Sequence, residues 1–115
     1  MNEKLLQFIW QFQYFNKSSL TTIDGTHLQI IHQGNFNTNQ GPDFTAARLR
    51  IGGTVWVGNI EVHVHASDWF AHHHTADANY ARIILHVVWN NDVIVPDSSG
   101  EPLPTLELTL KFRIC

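Results

Sequence analysis

The sequence predicts an α/β domain, α+β in character, in which a mixed and mostly antiparallel β-sheet is combined with an N-terminal helix and a short crossover helix. Two patterns carry this prediction. Apolar residues recur at helical spacing over residues 3–16, and runs rich in β-branched residues, bounded by turn-forming residues, fill most of residues 44–95. With 115 residues, of which 43% are hydrophobic, the chain is long enough to form one domain, 1–115, around its own core.

The first predicted element is a helix over residues 3–16. Its apolar residues form one stripe at positions i, i+3, i+4 and i+7 with a second row beside it, and its polar residues form a narrow strip at four-residue spacing. The stripe comprises Leu5, Phe8, Ile9, Phe12 and Phe15, the second row Leu6, Trp10 and Tyr14, and the polar strip Glu3, Gln7 and Gln11. We interpret the stripe as core packing, and we expect so apolar a helix to be covered on more than one side.

Turn signals divide the next part of the chain. Asp24-Gly25 predicts a tight turn between Leu20–Ile23 and His27–His32, and residues 33–41 are a loop by their Asn and Gly content. Two longer strands, Phe44–Ile51 and Val55–Ala66, then flank Gly52-Gly53.

A short helix capped by Ser67 or Asp68 is predicted next, and a further helical turn over residues 76–80. The helix carries His72-His73-His74, which we interpret as exposed residues because three adjacent helical positions cannot all face one ion. The nearly continuous apolar run Arg82–Trp89 predicts a strand buried on both faces. Residues 93–95 and 105–112, joined by a loop that holds Pro96 and Pro104, predict one more hairpin.

Composition limits the classes of function. Only 15% of the residues are charged, against about 25% in an average domain, so that apolar surface remains for a partner, a missing segment or a second copy bound through the N-terminal helix. The net charge of −3, with seven Lys and Arg, argues against a self-sufficient nucleic-acid binder. The single Cys115 excludes an internal disulfide and favours the cytoplasm, and no stretch is typical of a signal peptide or membrane span.

The strongest functional pattern combines Asp43, in Gly41-Pro42-Asp43, with Glu61, His63 and His65 on the following strand. The last three share one strand face, whereas Ile60, Val62 and Val64 share the other. A two-residue Gly52-Gly53 loop would place Asp43 opposite Val62 on the apolar face. A three-residue loop pairs Ile51 with Val55 and places Asp43 opposite His63. We therefore predict the second register, with Asp43, Glu61 and His63 converging.

Such a group predicts a divalent metal site. Asp43 and Glu61 offer the hard oxygen ligands that magnesium and manganese prefer, whereas ligation by His63 and His65 would favour manganese, zinc or iron. His63 can instead act as general base on a water. His86 interrupts an apolar strand, so it is either a core histidine bonded to a carbonyl or a residue lining the same cleft.

Two arginines, Arg48 and Arg50, lie on the strand that follows Asp43. They are candidates for contacting the phosphates of a nucleic acid, or their stems cover apolar surface.

Pro42-Asp43 followed by Glu61-x-His63, within an α-β-β-β-α-β order over residues 3–89, resembles the PD-(D/E)xK nuclease superfamily with its restriction-endonuclease-like core. The resemblance implies metal-binding roles for Asp43 and Glu61 and a supporting role for Glu3 or Gln7 on the first helix. The position of the superfamily's Lys is occupied by His63, which implies either a metal-binding variant or an inactive site.

The whole chain also resembles the N-terminal part of an uncharacterised bacterial family, a domain of unknown function whose members are longer. The match lies in four runs of sequence, which begin at Leu5, Gly41, Gly58 and Ser67: Leu-Leu-Gln-Phe-Ile-Trp, Gly-Pro-Asp-Phe, Gly-Asn-Ile-Glu-Val-His and Ser-Asp-Trp. It implies that this chain is a shortened version of those proteins.

Three functions compete on these observations. The leading hypothesis is a metal-dependent, nuclease-like domain, active or degenerate. The second is a non-catalytic domain that binds a partner or assembles with itself. The third, a cupin-like metal barrel suggested by His63-Val64-His65, is disfavoured because the later Glu and Gly of that motif are missing and the strands are too few.

Overall fold

A ladder of paired strands runs through the whole domain in the computed structural model, which describes residues 1–72 and 82–109. In chain order its elements are α1 (Glu3–Phe12), β1 (Leu28–His32), β2 (Asn35–Phe36), β3 (Phe44–Ile51), β4 (Thr54–His65), α2 (Asp68–His72), β5 (Ile83–Asn90) and β6 (Thr105–Glu107). The sheet order is β1-β3-β4-β5-β6, and β2 also pairs with β3. The pairs formed by β3 are antiparallel, whereas β4–β5 and β5–β6 are parallel. The predicted mixed α/β architecture is therefore confirmed.

The first helix is shorter than the predicted 3–16. It begins after Asn2, whose side chain accepts a hydrogen bond from the Leu5 N–H at 2.8 Å. It ends at Phe12 because Gln13 adopts a left-handed conformation, with φ of 55°. The helix therefore covers three turns, and Tyr14 and Phe15 lie beyond it.

The face of α1 that packs on the sheet also differs from the prediction. Leu6, Ile9 and Trp10 are buried, whereas Leu5, Phe8 and Phe12 of the predicted core stripe are about half exposed. The Trp10 Nε1–H donates to the Gln33 carbonyl oxygen at 3.0 Å, which fixes the rotation of the helix about its axis. Of the predicted stripe only Ile9 is buried and Phe15 partly so. The prediction of the stripe as core packing is therefore wrong, because Leu6 and Trp10 of the second apolar row face the sheet together with Ile9 instead.

The β3–β4 register corrects a second prediction. Ile51 pairs with Thr54 across a two-residue turn at Gly52-Gly53, and not with Val55 across a three-residue loop. A β-bulge then interrupts the ladder, so that Phe44 pairs with Ile60 and not with Val62. The bulge contains Ala46, which has a positive φ of 55° and is the extra residue on β3.

Beyond β5 the chain forms a tight antiparallel turn, in which Pro96 bridges to Pro102 and the Leu103 N–H donates to the Val95 carbonyl at 2.8 Å. The following strand, β6, does not pair back on residues 93–95 as predicted; it joins β5 in parallel through His86–Thr105 and its neighbours. The predicted helical turn over 76–80 and the part of the last strand beyond residue 109 lie outside the described residues.

Apolar side chains cover both faces of the sheet at its centre. One cluster surrounds the buried face of α1 and includes Phe44, Ile60, Val62 and Leu85. A second cluster lies on the side of α2 and is formed by Ala66, Val88, Val95 and Leu103, with Trp69 and Ile83 packed against it. A strand buried on both faces was predicted over Arg82–Trp89. This prediction is confirmed at the centre of β5, where residues 85–88 are all buried. In the described part of the chain, no helix has the length and apolar character needed to cross a membrane.

Gly58 provides a test of the β4–β5 packing. A Cβ atom at this position would lie 2.6 Å from Ile84 Cγ2 and 2.7 Å from the Arg82 carbonyl oxygen. We expect Gly58→Ala to lower the free energy of unfolding by about 1–3 kcal/mol through overpacking, measured by urea denaturation. Gly53→Ala is the matched control, because no atom lies within 4 Å of its added Cβ. Equal stability of the two variants would show that this close approach is absent.

Ala46 tests the bulge itself. A left-handed conformation costs an L-residue about 1–2 kcal/mol, part of which glycine recovers at the expense of unfolded-state entropy. We expect Ala46→Gly to leave stability unchanged or raise it by up to about 1 kcal/mol, and Ala46→Val to lower it by about 1 kcal/mol or more. If Ala46→Val were more stable than Ala46→Gly, as expected in a regular strand, the result would contradict the positive φ of Ala46.

Candidate functional site

The candidate site forms where β3 begins and β4 continues past it. Because the bulge at Ala46 shifts the ladder by one residue, Asp43 lies beside Glu61, one position beyond the Phe44–Ile60 pair. The Asp43 N–H donates to Glu61 Oε1 at 3.1 Å, and the Val62 N–H donates to Asp43 Oδ2 at 2.8 Å. The Asp43 carboxylate thus accepts a hydrogen bond from the β4 backbone, as a backbone carbonyl oxygen of the neighbouring strand would do in a regular sheet. The predicted position of Asp43 opposite His63 is wrong, because that prediction assumed a regular ladder.

Helix α1 also contributes to this site, which we call the acidic site and define as Asp43, Glu61 and the groups that contact them. Gln7 Nε2 donates to Asp43 Oδ1 at 2.8 Å. Glu3 lies one turn earlier on the same side of the helix, and its charge raises the pKa of Glu61. Both carboxylate oxygens of Asp43 therefore accept hydrogen bonds, one from the helix and one from the sheet, which fixes the orientation of the group. Glu3 and Gln7, the two helix residues singled out in the sequence, both lie at this site.

The two carboxyl groups share an environment that disfavours charge. The pKa of Asp43 is raised to about 8, mainly by burial and also by the hydrogen bond with Glu61 and the charge of Glu61, while the hydrogen bonds from Val62 and Gln7 oppose the shift. Burial also raises the pKa of Glu61, which is only 4% exposed, while its hydrogen bonds with Asp43 lower it. Because neutral pH lies below the raised pKa of Asp43, this carboxyl group favours its protonated form there.

His63 follows two residues after Glu61 on the same face of β4, and is buried. Its Nδ1 lies 2.8 Å from Nε2 of the buried His86, so that one ring donates to the other. The Trp69 ring of α2 meets both imidazoles edge-on, with centroid distances of 6.4 Å to His63 and 5.1 Å to His86. Since Glu61 and His86 are register partners on β4 and β5, this histidine pair adjoins the acidic site. The structure thus gives His86 another histidine as a bonding partner.

The other predicted site residues lie apart from the acidic pair. His65 is exposed at the end of β4, where its Nδ1 lies 3.2 Å from Asn90 Nδ2. Arg48 and Arg50 are exposed on β3, at positions paired with Val57 and Val55 of β4. Within residues 1–72 and 82–109, no group of three or more His, Asp, Glu or Cys side chains is arranged to hold a metal ion. His73 and His74 lie outside the described residues.

Sequence reasoning missed three features of the site: the backbone N–H of Val62, the bond between His63 and His86, and the contact of Trp69 with both rings. The first depends on a bulge that no residue pattern marks. The second has a signal, because His63 and His86 each interrupt an apolar context on strands predicted to be neighbours. The parallel register that pairs Glu61 with His86 was needed to bring the two rings together.

The shifted pKa of Asp43 predicts a pH dependence of stability. Between about pH 4, where an unfolded Asp loses its proton, and about pH 8, where the folded one does, the folded state binds more protons than the unfolded state. The free energy of unfolding should therefore fall as pH rises through this window, by at most about 1.4 kcal/mol per pH unit. Below pH 4 the contribution is fully present, and above pH 8 it is lost.

Urea denaturation of the wild type and Asp43→Asn, in buffers with a chelator from pH 4 to 9, measures this effect. The difference between the two proteins removes the shared titration of the histidines. We expect the wild type to lose stability relative to Asp43→Asn as pH rises, and the difference to level off near pH 8. Parallel curves would show that Asp43 has an ordinary pKa.

Comparison with known proteins places the chain in a family without assigned activity. A family model described as "Protein of unknown function (DUF2851)" matches residues 3–114. No curated protein and no solved structure matches the chain. The match covers α1, the acidic site and every strand of the sheet. This chain therefore belongs to the DUF2851 family of proteins of unknown function.

Proposed function

We propose that the Asp43–Glu61 pair binds a divalent cation and that the domain is nuclease-like, with phosphodiester hydrolysis as its reaction. One observation carries this proposal. Two carboxyl groups, one directly before β3 and one on β4, meet in a buried setting, and donors from α1 and from the β4 backbone hold one of them in a fixed orientation. Like charges placed together are costly to a fold, and such arrangements cluster at functional sites.

The donor set suits some metals better than others. Magnesium and manganese are bound by one or two carboxylates, with water and substrate phosphate completing the shell. Two carboxyl groups, an adjacent amide from Gln7 and the nearby Glu3 fit that requirement. Zinc fits less well, because it prefers several nitrogen or sulfur ligands, and His63 and His86 are bonded to each other while His65 lies apart. A cation in this site would replace the proton that Asp43 holds at neutral pH.

The residues then have distinct roles. Asp43 and Glu61 are the ligands, and Gln7 orients Asp43. When bound, the cation would neutralise charge on the phosphate and lower the pKa of a water molecule. His63, in the position of the superfamily's Lys, is the group we assign to accept a proton from the attacking water, and His86 fixes the orientation of its ring through the Nδ1 contact. Arg48 and Arg50 are the proposed contacts to the phosphates of a nucleic acid.

Calorimetric titration with Mn²⁺ tests the cation site. We expect the wild type to bind one Mn²⁺, and Asp43→Asn and Glu61→Gln to show no saturable binding. Gln7→Ala should weaken binding by about tenfold, as loss of a residue that orients a ligand usually does. Gln11→Ala, one turn further along the same helix, and Glu101→Gln, an exposed carboxylate in the Pro96–Pro102 turn, are the controls.

Absence of Mn²⁺ binding by the wild type, or equal loss in the two controls, would disprove the cation site. Hydrolysis is tested separately, with bis(p-nitrophenyl) phosphate and linear duplex DNA in the presence of Mn²⁺. Binding of Mn²⁺ without hydrolysis of either substrate would disprove the proposed reaction but would still support the cation site. It would favour the alternative function, a non-catalytic domain that binds a partner or assembles with itself.

A further inference from the structure

Part of the sheet face opposite α1 is exposed. Residues that oppose each other in an antiparallel ladder place their side chains on the same side of the sheet. By this rule β1, β3 and the first half of β4 each contribute two exposed residues to one continuous surface. They are Gln29 and His32, Arg48 and Arg50, and Val55 and Val57. We call these six residues the arginine face.

The arginine face continues toward the acidic site. Residues two apart on a strand share a side, so Val55, Val57 and Glu61 lie along one side of β4. At about 3.3 Å per residue, Glu61 lies about 13 Å along the strand from the Arg48–Val57 pair and about 20 Å from the Arg50–Val55 pair. A linear molecule that lies along this face therefore leads from the β3–β4 turn to the acidic site.

The arginine face is cationic on a chain whose net charge is −3. Within residues 1–72 and 82–109, neither Arg48 nor Arg50 has an ion-pair or hydrogen-bond partner, and no carboxylate is among the six residues of the face. His32 adds a further donor. The Gly34 N–H donates to His32 Nδ1 at 3.0 Å, which leaves the proton of the neutral ring on Nε2. These charges and donors are complementary to an anionic molecule.

Apolar surface runs beside the two arginines. Val55 and Val57 are 42% and 53% exposed, and each lies across the ladder from an arginine, at a Cβ separation of about 5 Å. The face thus has one cationic row and one apolar row, side by side. A single strand of nucleic acid matches both rows, because it offers phosphates and also unstacked bases. A duplex matches the cationic row alone, because its bases are stacked inside.

We propose that the arginine face binds a single strand of nucleic acid, with phosphates on Arg48, Arg50 and His32 and bases on Val55 and Val57, and that this strand is the substrate of the acidic site. The inference rests on the proposed function, since phosphodiester hydrolysis at the end of the face is the reason for preferring a nucleic acid to an acidic polypeptide. A nucleotide advances by about 3.4 Å in a duplex strand. The length of the face therefore corresponds to about six nucleotides.

Fluorescence anisotropy with labelled oligothymidylates, in a buffer with EDTA, tests this binding without a metal. We expect affinity to rise with length up to about six nucleotides and then to level off. The logarithm of the association constant should fall against the logarithm of the salt concentration with a slope of about −1.4 or steeper, as for two phosphate contacts on a single strand. A DNA duplex should bind at least about tenfold more weakly than an oligothymidylate of equal length. Binding of oligouridylate in place of oligothymidylate also supports the proposal and identifies the strand as RNA.

Matched variants test the two rows separately. Arg48→Gln and Arg50→Gln should each weaken binding by about tenfold at low salt and reduce the salt slope by about 0.7. Lys4→Gln is the control with the same change of charge, because Lys4 is exposed on α1, which packs against the other face of the sheet. Val57→Ser should weaken binding by about threefold without changing the salt slope. Ile94→Ser, at a residue that is 64% exposed in the loop after β5, should have no effect.

Four results would overturn the proposal. They are a wild type that binds no strand, equal affinity for strand and duplex, equal weakening by Lys4→Gln, and displacement of the strand by poly-L-glutamate at equal charge concentration. The last would identify an acidic polypeptide as the occupant. None of them changes the outcome of Mn²⁺ titration or of bis(p-nitrophenyl) phosphate hydrolysis. Conversely, a wild type that binds the strand but no Mn²⁺ would disprove the proposed function and retain the arginine face as a nucleic-acid surface.

Discussion

The β-bulge at Ala46 is the feature on which the candidate site depends. The two-residue turn at Gly52-Gly53 fixes the start of the β3–β4 ladder, and a regular continuation would bring Asp43 opposite Val62, on the face that packs against α1. There the carboxyl group would be buried among apolar side chains, at a cost of several kcal/mol. One extra residue in β3, with φ of 55° at Ala46, shifts Asp43 by one position and brings it beside Glu61. The positive φ of one alanine therefore determines which residue of β4 lies beside Asp43.

The bulge alone would leave the Asp43 carboxyl group free to rotate, and two further contacts prevent this. The Val62 N–H belongs to a residue whose side chain is in the main core, and Gln7 belongs to a helix held by the same core. The orientation of the carboxyl group is thus coupled to packing on the opposite face of β4. This coupling explains how the fold tolerates a carboxyl pair whose members both have raised pKa values, since the donors offset part of the cost of burial.

Local patterns in the sequence were sufficient to predict the order of the longer elements and the bounds of β3, because β-branched runs and Gly-Gly turns are short-range signals. They missed the short strand β2, which lies within the predicted loop 33–41. They were not sufficient to predict the register. The choice between a two-residue and a three-residue loop assumed a regular ladder, and it gave the wrong loop and the wrong partner for Asp43. The buried face of α1 was equally beyond local reasoning, because nearly all sides of the helix are apolar. Long-range contacts, from Trp10 to Gln33 and from Gln7 to Asp43, determine which of these sides faces the sheet. The pairing of His63 with His86 depended on the parallel register of β4 and β5.

The rotation of α1 about its axis links the acidic site to the exposed apolar side chains Leu5, Phe8 and Phe12 of the same helix. Turning the helix by about a third of a turn would bring Leu5, Phe8 and Phe12 onto the sheet, since residues follow one another at about 100°. The same rotation would withdraw Gln7 from Asp43 and Trp10 from Gln33, and would remove one of the two donors that orient the carboxyl group. The exposed rings are therefore a consequence of the arrangement that builds the site. A helix that must present an amide to Asp43 on one flank cannot also bury Phe8 on the other.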